Sequence, residues 1–146
     1  MSKLLQRTLS GQELTKLILE VFRLNGALLK AGDKLTKPFG LTSARWQVLG
    51  AIEQEGEPLS VAQISRRMGL SRQAVQRIAN GLEKIGFVTF NANPDHKTAK
   101  HIKLTSKGQQ SLNQIDAAQI EWVNQLAKNI DSNELRTALN LLQKIK

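Results

Sequence analysis

Ser71-Arg-Gln-Ala-Val-Gln-Arg-Ile-Ala-Asn-Gly-Leu-Glu-Lys-Ile85, closed by Gly86, is the stretch whose reading decides the fold. At helical period Val75, Ile78, Leu82 and Ile85 share one face, and Arg72, Gln73, Gln76, Arg77 and Asn80 share the other. Guanidinium and carboxamide groups hydrogen-bond base edges bidentately and also hold phosphates, so the second face suits a nucleic acid. Taken alone, the pattern equally fits an ordinary amphipathic surface helix. Its surroundings separate the two.

Immediately upstream, Ser60 and Gln63 have capping-box spacing and open a short helix with Val61, Ile64 and Met68 inward. Gly69 is placed to end that helix in a left-handed residue, and the Ser71 hydroxyl can cap the next one. Two helices joined by so short a turn, the second of them basic, form a helix-turn-helix. Downstream, Phe87-Val-Thr-Phe90 reads as a strand, residues 91–98 as a polar turn, and Lys100-His-Ile-Lys-Leu104 as the returning strand. A hairpin following such a helix is a wing.

The flanks are helical. Ser10 and Glu13 have capping-box spacing, and Leu14, Leu17, Ile18, Val21, Leu24, Leu28 and Leu29 continue a stripe to about residue 34, where Pro38 and Gly40 enforce a break. Thr42 caps a helix through Trp46, Leu49 and Ile52 that ends near Gly56. Thr105 opens a helix carrying Leu112, Ile115, Ala118, Trp122, Val123 and Leu126; Asp131 and Glu134 open a last one with Leu135, Ala138, Leu139, Leu142 and Ile145. The predicted fold class is mainly α with a small β-hairpin wing, in one chain of residues 1–146. A winged helix-turn-helix DNA-binding lobe at 41–105 lies between dimerisation helices at 10–35 and 106–146. Three apolar stripes exceed what the small lobe can cover, which predicts a two-fold homodimer; a monomeric helical subdomain is the alternative.

Composition narrows the function. The formal net charge is +9, and residues 60–107 hold 9 Lys/Arg against 2 Asp/Glu, so most of the excess surrounds the helix-turn-helix. Cysteine is absent, which excludes disulfides, thiolate metal sites and thiol redox switches. No apolar run is long enough to span a bilayer, and the N-terminus lacks a signal-peptide core, giving the expectation of a cytoplasmic protein with no membrane partner. His96 and His101 have no neighbours at metal-ligand spacing, and no catalytic constellation is present, so neither a metal, a cofactor nor an enzyme activity is expected.

Several segments together resemble the MarR family of winged helix-turn-helix regulators over nearly the whole chain. They are Leu41-Thr42 with Trp46 and Val48-Leu49, Ala62-Gln-Ile-Ser65, Met68-Gly-Leu-Ser71, Val75-Gln-Arg77, Leu82 to Val88, Asn93-Pro94-Asp95, and Ile102 to Gly108. The resemblance implies a homodimeric repressor that binds a pseudo-palindromic operator in double-stranded DNA and is released by a small, often phenolic or aromatic, effector. The alternative is a DNA-binding regulator without ligand response, controlled by a protein partner or by abundance. It also implies that the recognition helix is Ser71 to Ile85 and the wing about residues 87–104. The missing cysteine excludes the family's branch of cysteine-based oxidant sensors.

In the wing, counting back from Leu104-Thr105 places His96 where the family carries an acidic residue, Lys97 next, and Thr98 where arginine is usual. A hairpin one residue longer keeps Asp95 in the acidic role and makes Lys97 the tip cation. The candidate DNA-binding residues are therefore Ser71, Arg72, Gln73, Gln76, Arg77, His96, Lys97 and Lys100. Ser71 is assigned to phosphate, Arg72, Gln73 and Gln76 to base edges, and Arg77 to either. Arg66 and Arg67 point outward, to solvent or phosphate. Trp46 and Trp122 either pack in a core or border an effector crevice, and Arg45 either pairs with a carboxylate ligand or faces solvent.

Overall fold

The computed structural model describes residues 5–146. Six α-helices, α1 (Leu9–Thr36), α2 (Ser43–Glu55), α3 (Val61–Met68), α4 (Arg72–Lys84), α5 (Ser106–Ala127) and α6 (Ser132–Lys144), are joined by a small antiparallel sheet of β1 (Leu59–Ser60), β2 (Val88–Asn91) and β3 (His101–Leu104) in the order β1-β3-β2. A short 3-10 turn at Lys37–Phe39 and a left-handed Gly40 carry the chain from α1 into α2. Thr36 secures that corner: it is buried, and its hydroxyl donates to the Gly32 and Leu41 carbonyls at 2.8 and 3.1 Å.

Caps set most helix starts. The hydroxyls of Thr42, Ser60, Ser71 and Thr105 each accept from the backbone N–H three residues on, and Ser60 and Gln63 complete the predicted reciprocal box. Gly69 ends α3 in the left-handed conformation (φ 68°), as expected of the turn between the two helices. Two predicted boxes are corrected. At α1 the cap is Thr8, which accepts from the Gly11 N–H at 2.9 Å; Ser10 falls inside the first turn, and Glu13 pairs with Lys16 instead. At α6 Asp131 caps as expected, but through the Asn133 N–H, without the return bond from Glu134.

The sheet has one strand more than the hairpin that the sequence predicts. Leu59 and Ser60 pair with Ile102 and His101, so the two residues before α3 form the outer edge of the wing's base. β2 and β3 pair from Val88↔Leu104 to Asn91↔His101, leaving residues 92–100 outside the ladder.

The buried apolar residues run from Leu41 to Ile115. Val48, Leu49 and Ile52 of α2, Ile64 of α3, Val75, Ala79 and Leu82 of α4, and Val88 and Ile102 of the sheet meet Leu112 and Ile115 of α5. Outside that centre α1, the second half of α5 and α6 present large apolar side chains to solvent, among them Phe22, Leu24, Leu126 and Leu139 at 54 to 68% exposure. Nothing in α6 is buried. Among the described residues no helix is long and apolar enough to cross a membrane.

Candidate nucleic-acid interface

The core turns α4 so that its polar face is outermost. Val75, Ala79 and Leu82 are fully enclosed, and Arg72, Gln73, Gln76, Arg77 and Asn80 are all exposed, as the helical period requires. Ser71 is exposed at the N-terminus with its oxygen on the Ala74 N–H at 3.1 Å, which leaves its O–H free to donate outward. The first-turn N–H groups and the positive end of the helix dipole face the same way. Gln76 Nε2 donates to Asn80 Oδ1 at 2.8 Å, so two amides one turn apart hold each other side by side.

The far end of α4 is anchored by a residue that the sequence reading missed. Lys107, in the first turn of α5, donates to the Ile85 carbonyl at 2.9 Å, and its ammonium lies 5.5 Å from the Phe87 ring centroid. A cation there complements the negative end of the helix, and the bond satisfies one terminal carbonyl.

The hairpin stands beside α4. A polar crevice of about 310 Å³ separates them, lined by Gln76, Asn80 and Glu83 on the helix and by Phe90, Thr98 and Lys100 on the wing side. Of the candidate residues, this crevice brings Gln76 and Lys100 together; Arg72, Gln73 and Arg77 do not line it. Glu83 was not among the candidates, because the sequence does not show which flank of the helix meets the wing. The loop turns at Asn93, whose carbonyl accepts from the His96 N–H and whose side chain accepts from the Asp95 N–H. His96 Nδ1 lies 3.1 Å from Thr98 Oγ1, and Lys97 is exposed next to them.

The remaining arginines divide. Arg67 is held by an ion pair with Glu55, while Arg66 is exposed. Arg45 is half-buried against the Gly81 segment of α4, neither free in solvent nor in the cavity beside Trp46. That cavity, of about 300 Å³, lies between α1, α2 and α5, and both tryptophans line it with Leu28, Leu29 and Leu35. Its polar lining is Asn25, Ser43 and Gln47; among the described residues no charged side chain lines it.

This architecture, a capped helix-turn-helix with an exposed basic second helix and an adjoining β-hairpin, is that of a winged helix-turn-helix protein. The family model described as MarR family matches residues 39–97, from the α1–α2 corner into the wing loop. The chain is 35% identical over 135 residues to an uncharacterized protein of Mycobacterium tuberculosis, covering 92% of this chain and 93% of that one. The chain belongs to the MarR family, whose members are non-enzymatic DNA-binding transcription regulators. Among solved structures, it is similar to a mutant of MarR from E. coli complexed with operator DNA (TM-score 0.80, 22% identity, covering 91% of this chain and 95% of that chain). It is also similar to CouR from Rhodococcus jostii RHA1 bound to p-coumaroyl-CoA (TM-score 0.77, 22% identity, covering 86% and 87%).

Proposed function

We propose that this MarR-family regulator acts as a homodimeric repressor, reading an inverted-repeat operator with one α4 per protomer and releasing it when a small molecule enters the cavity beside Trp46 and Trp122. The exposed Arg72-Gln73-Gln76-Arg77 face of α4 carries the DNA reading. Ser71 and the helix N-terminus fix the phosphate, Arg72, Gln73 and Gln76 meet base edges, and Arg77 meets bases or phosphate. The wing, residues 87–104, brings Lys97, Lys100 and His96 to the flanking minor groove, where lysine acts as a point charge and lacks arginine's flat fork.

Residues 10–35 and 106–146 supply the dimer. The apolar side chains that α1, the end of α5 and α6 expose are what a second copy would cover. A two-fold pair places its recognition helices about 34 Å apart, one turn of B-DNA, which predicts inverted half-sites at that spacing. The solved similar structure complexed with operator DNA supports DNA as the partner, and the one bound to p-coumaroyl-CoA supports a small-molecule effector. Two indoles with amide and hydroxyl groups and no cation suit an uncharged or phenolic aromatic effector better than a free carboxylate.

The deciding experiment is selection of bound duplexes from a random library by the full chain at physiological salt, with light scattering to give the mass of the free protein. Enrichment of an inverted repeat by a particle of twice the chain mass is the expected result. No enriched sequence, or a folded monomer at micromolar concentration, overturns the reading.

A further inference from the structure

One arginine of α2 reaches across to the recognition helix and is seated there by the absence of a side chain. A Cβ added to Gly81 would lie 2.6 Å from Arg45 Nη2, 3.2 Å from its Cζ and 3.3 Å from its Nε, so the guanidinium occupies the space that any larger residue would claim. We propose that Arg45 is a DNA-backbone contact supplied by α2, held by Gly81 on the flank of α4 that faces away from the wing. This rests on the reading of α4 as the helix that meets DNA.

Three observations carry it. Gly81 follows Arg77 by four residues and so lies one turn along the same flank, whereas Gln76, Asn80 and Glu83 line the wing-side crevice. Arg45 and Arg77 therefore make a basic edge on one side of α4, opposite the edge that carries Glu83. Second, among the described residues Arg45 has no ion pair and no side-chain hydrogen bond, so the fold supplies no counter-charge to a half-buried guanidinium. A phosphate supplies one, and the planar fork matches it bidentately. Third, the cavity is lined from α2 by Ser43, Trp46 and Gln47, and at about 100° per residue Arg45 falls on the opposite face of that helix. An effector in the cavity is therefore not its partner.

The test measures binding of a selected operator duplex and of a scrambled duplex by fluorescence anisotropy across a salt series, using the full chain. Arg45→Ala and Arg45→Gln are expected to weaken both duplexes by the same several-fold factor and to lower the salt slope by about one, whereas Arg45→Lys keeps the charge and so the salt slope, but loses part of the affinity with the bidentate fork. Gly81→Ala displaces the guanidinium while favouring the helix, so its melting temperature holds or rises as its DNA affinity falls. In an Arg45→Ala background the same change has no further effect on binding. An unchanged salt slope in folded Arg45→Ala, with the wild type still selecting its operator, confines Arg45 to packing and leaves the function standing. A loss on the operator alone makes it a base contact and overturns the backbone assignment. If the wild type selects no duplex, the function and this contact fall together. Should the Arg45 variants not fold, Gly81→Ala decides: unchanged affinity overturns the proposal.

Discussion

Ser60 stands opposite His101 in the sheet and, through its side chain, caps α3. One buried residue thus joins the base of the wing to the first helix of the helix-turn-helix. Ser60→Ala removes the acceptor for the Gln63 N–H and is expected to cost about 1 to 2 kcal/mol, read as a lower urea midpoint. Ser60→Thr keeps the hydroxyl and most of the stability.

Gly108 and Gly50 are expected to respond oppositely to alanine. A Cβ on Gly108 would overlap the Phe87 carbonyl oxygen, which is already fixed by the Thr105 N–H at 3.0 Å. Backbone must move, and a loss of about 1 to 3 kcal/mol or more follows. Gly50 lies inside α2 with nothing within 4 Å of an added Cβ, so alanine there should gain about 0.5 to 1 kcal/mol. Thermal melts of the two variants against wild type check both signs.

Arg72→Ala and Gln76→Ala are expected to cost about 1 to 3 kcal/mol each on the selected operator and much less on a scrambled duplex. Equal losses on the two duplexes would make them phosphate contacts. Gln76→Ala also frees Asn80 from its amide partner, so a double-mutant cycle with Asn80→Ala should show coupling between the two positions.

Asp116 gives the stability a pH dependence. Its carboxyl is pushed above the ordinary aspartate value, chiefly by burial and secondly by the Glu53 carboxylate. The folded chain therefore holds this proton more tightly than the unfolded one, so Asp116 favours folding at the acidic end. Its contribution turns unfavourable as the pH rises from the ordinary aspartate value through the raised one. Asp116→Asn should remove that slope and raise stability near neutral pH, measured as urea midpoints from mildly acidic to neutral buffer.

What was legible in the sequence was local. The Thr42, Ser60, Ser71 and Thr105 caps could be read because each hydroxyl precedes an apolar-periodic run, and the exposed face of α4 followed from its period alone. At α1 two hydroxyls lie two residues apart, and local spacing favoured Ser10 where the chain uses Thr8. β1 is too short to show alternation; it exists because β3 offers Leu59 and Ser60 an open edge. The Glu83 and Lys100 crevice, the Lys107 anchor and the Arg45 seat on Gly81 join residues that are distant in the chain or on different elements. No periodicity encodes such pairs.

The ladder between β2 and β3 stops at Asn91↔His101, and the Asn93 turn lies beyond it. Residues gained or lost between Ala92 and Lys100 would lengthen or shorten the arm without shifting the register of Phe90 or Ile102. Reach and scaffold are therefore separate heritable variables in this chain. A lineage carrying it can change how far it grasps a duplex by small insertions and deletions, and keep the rest of the molecule as it is.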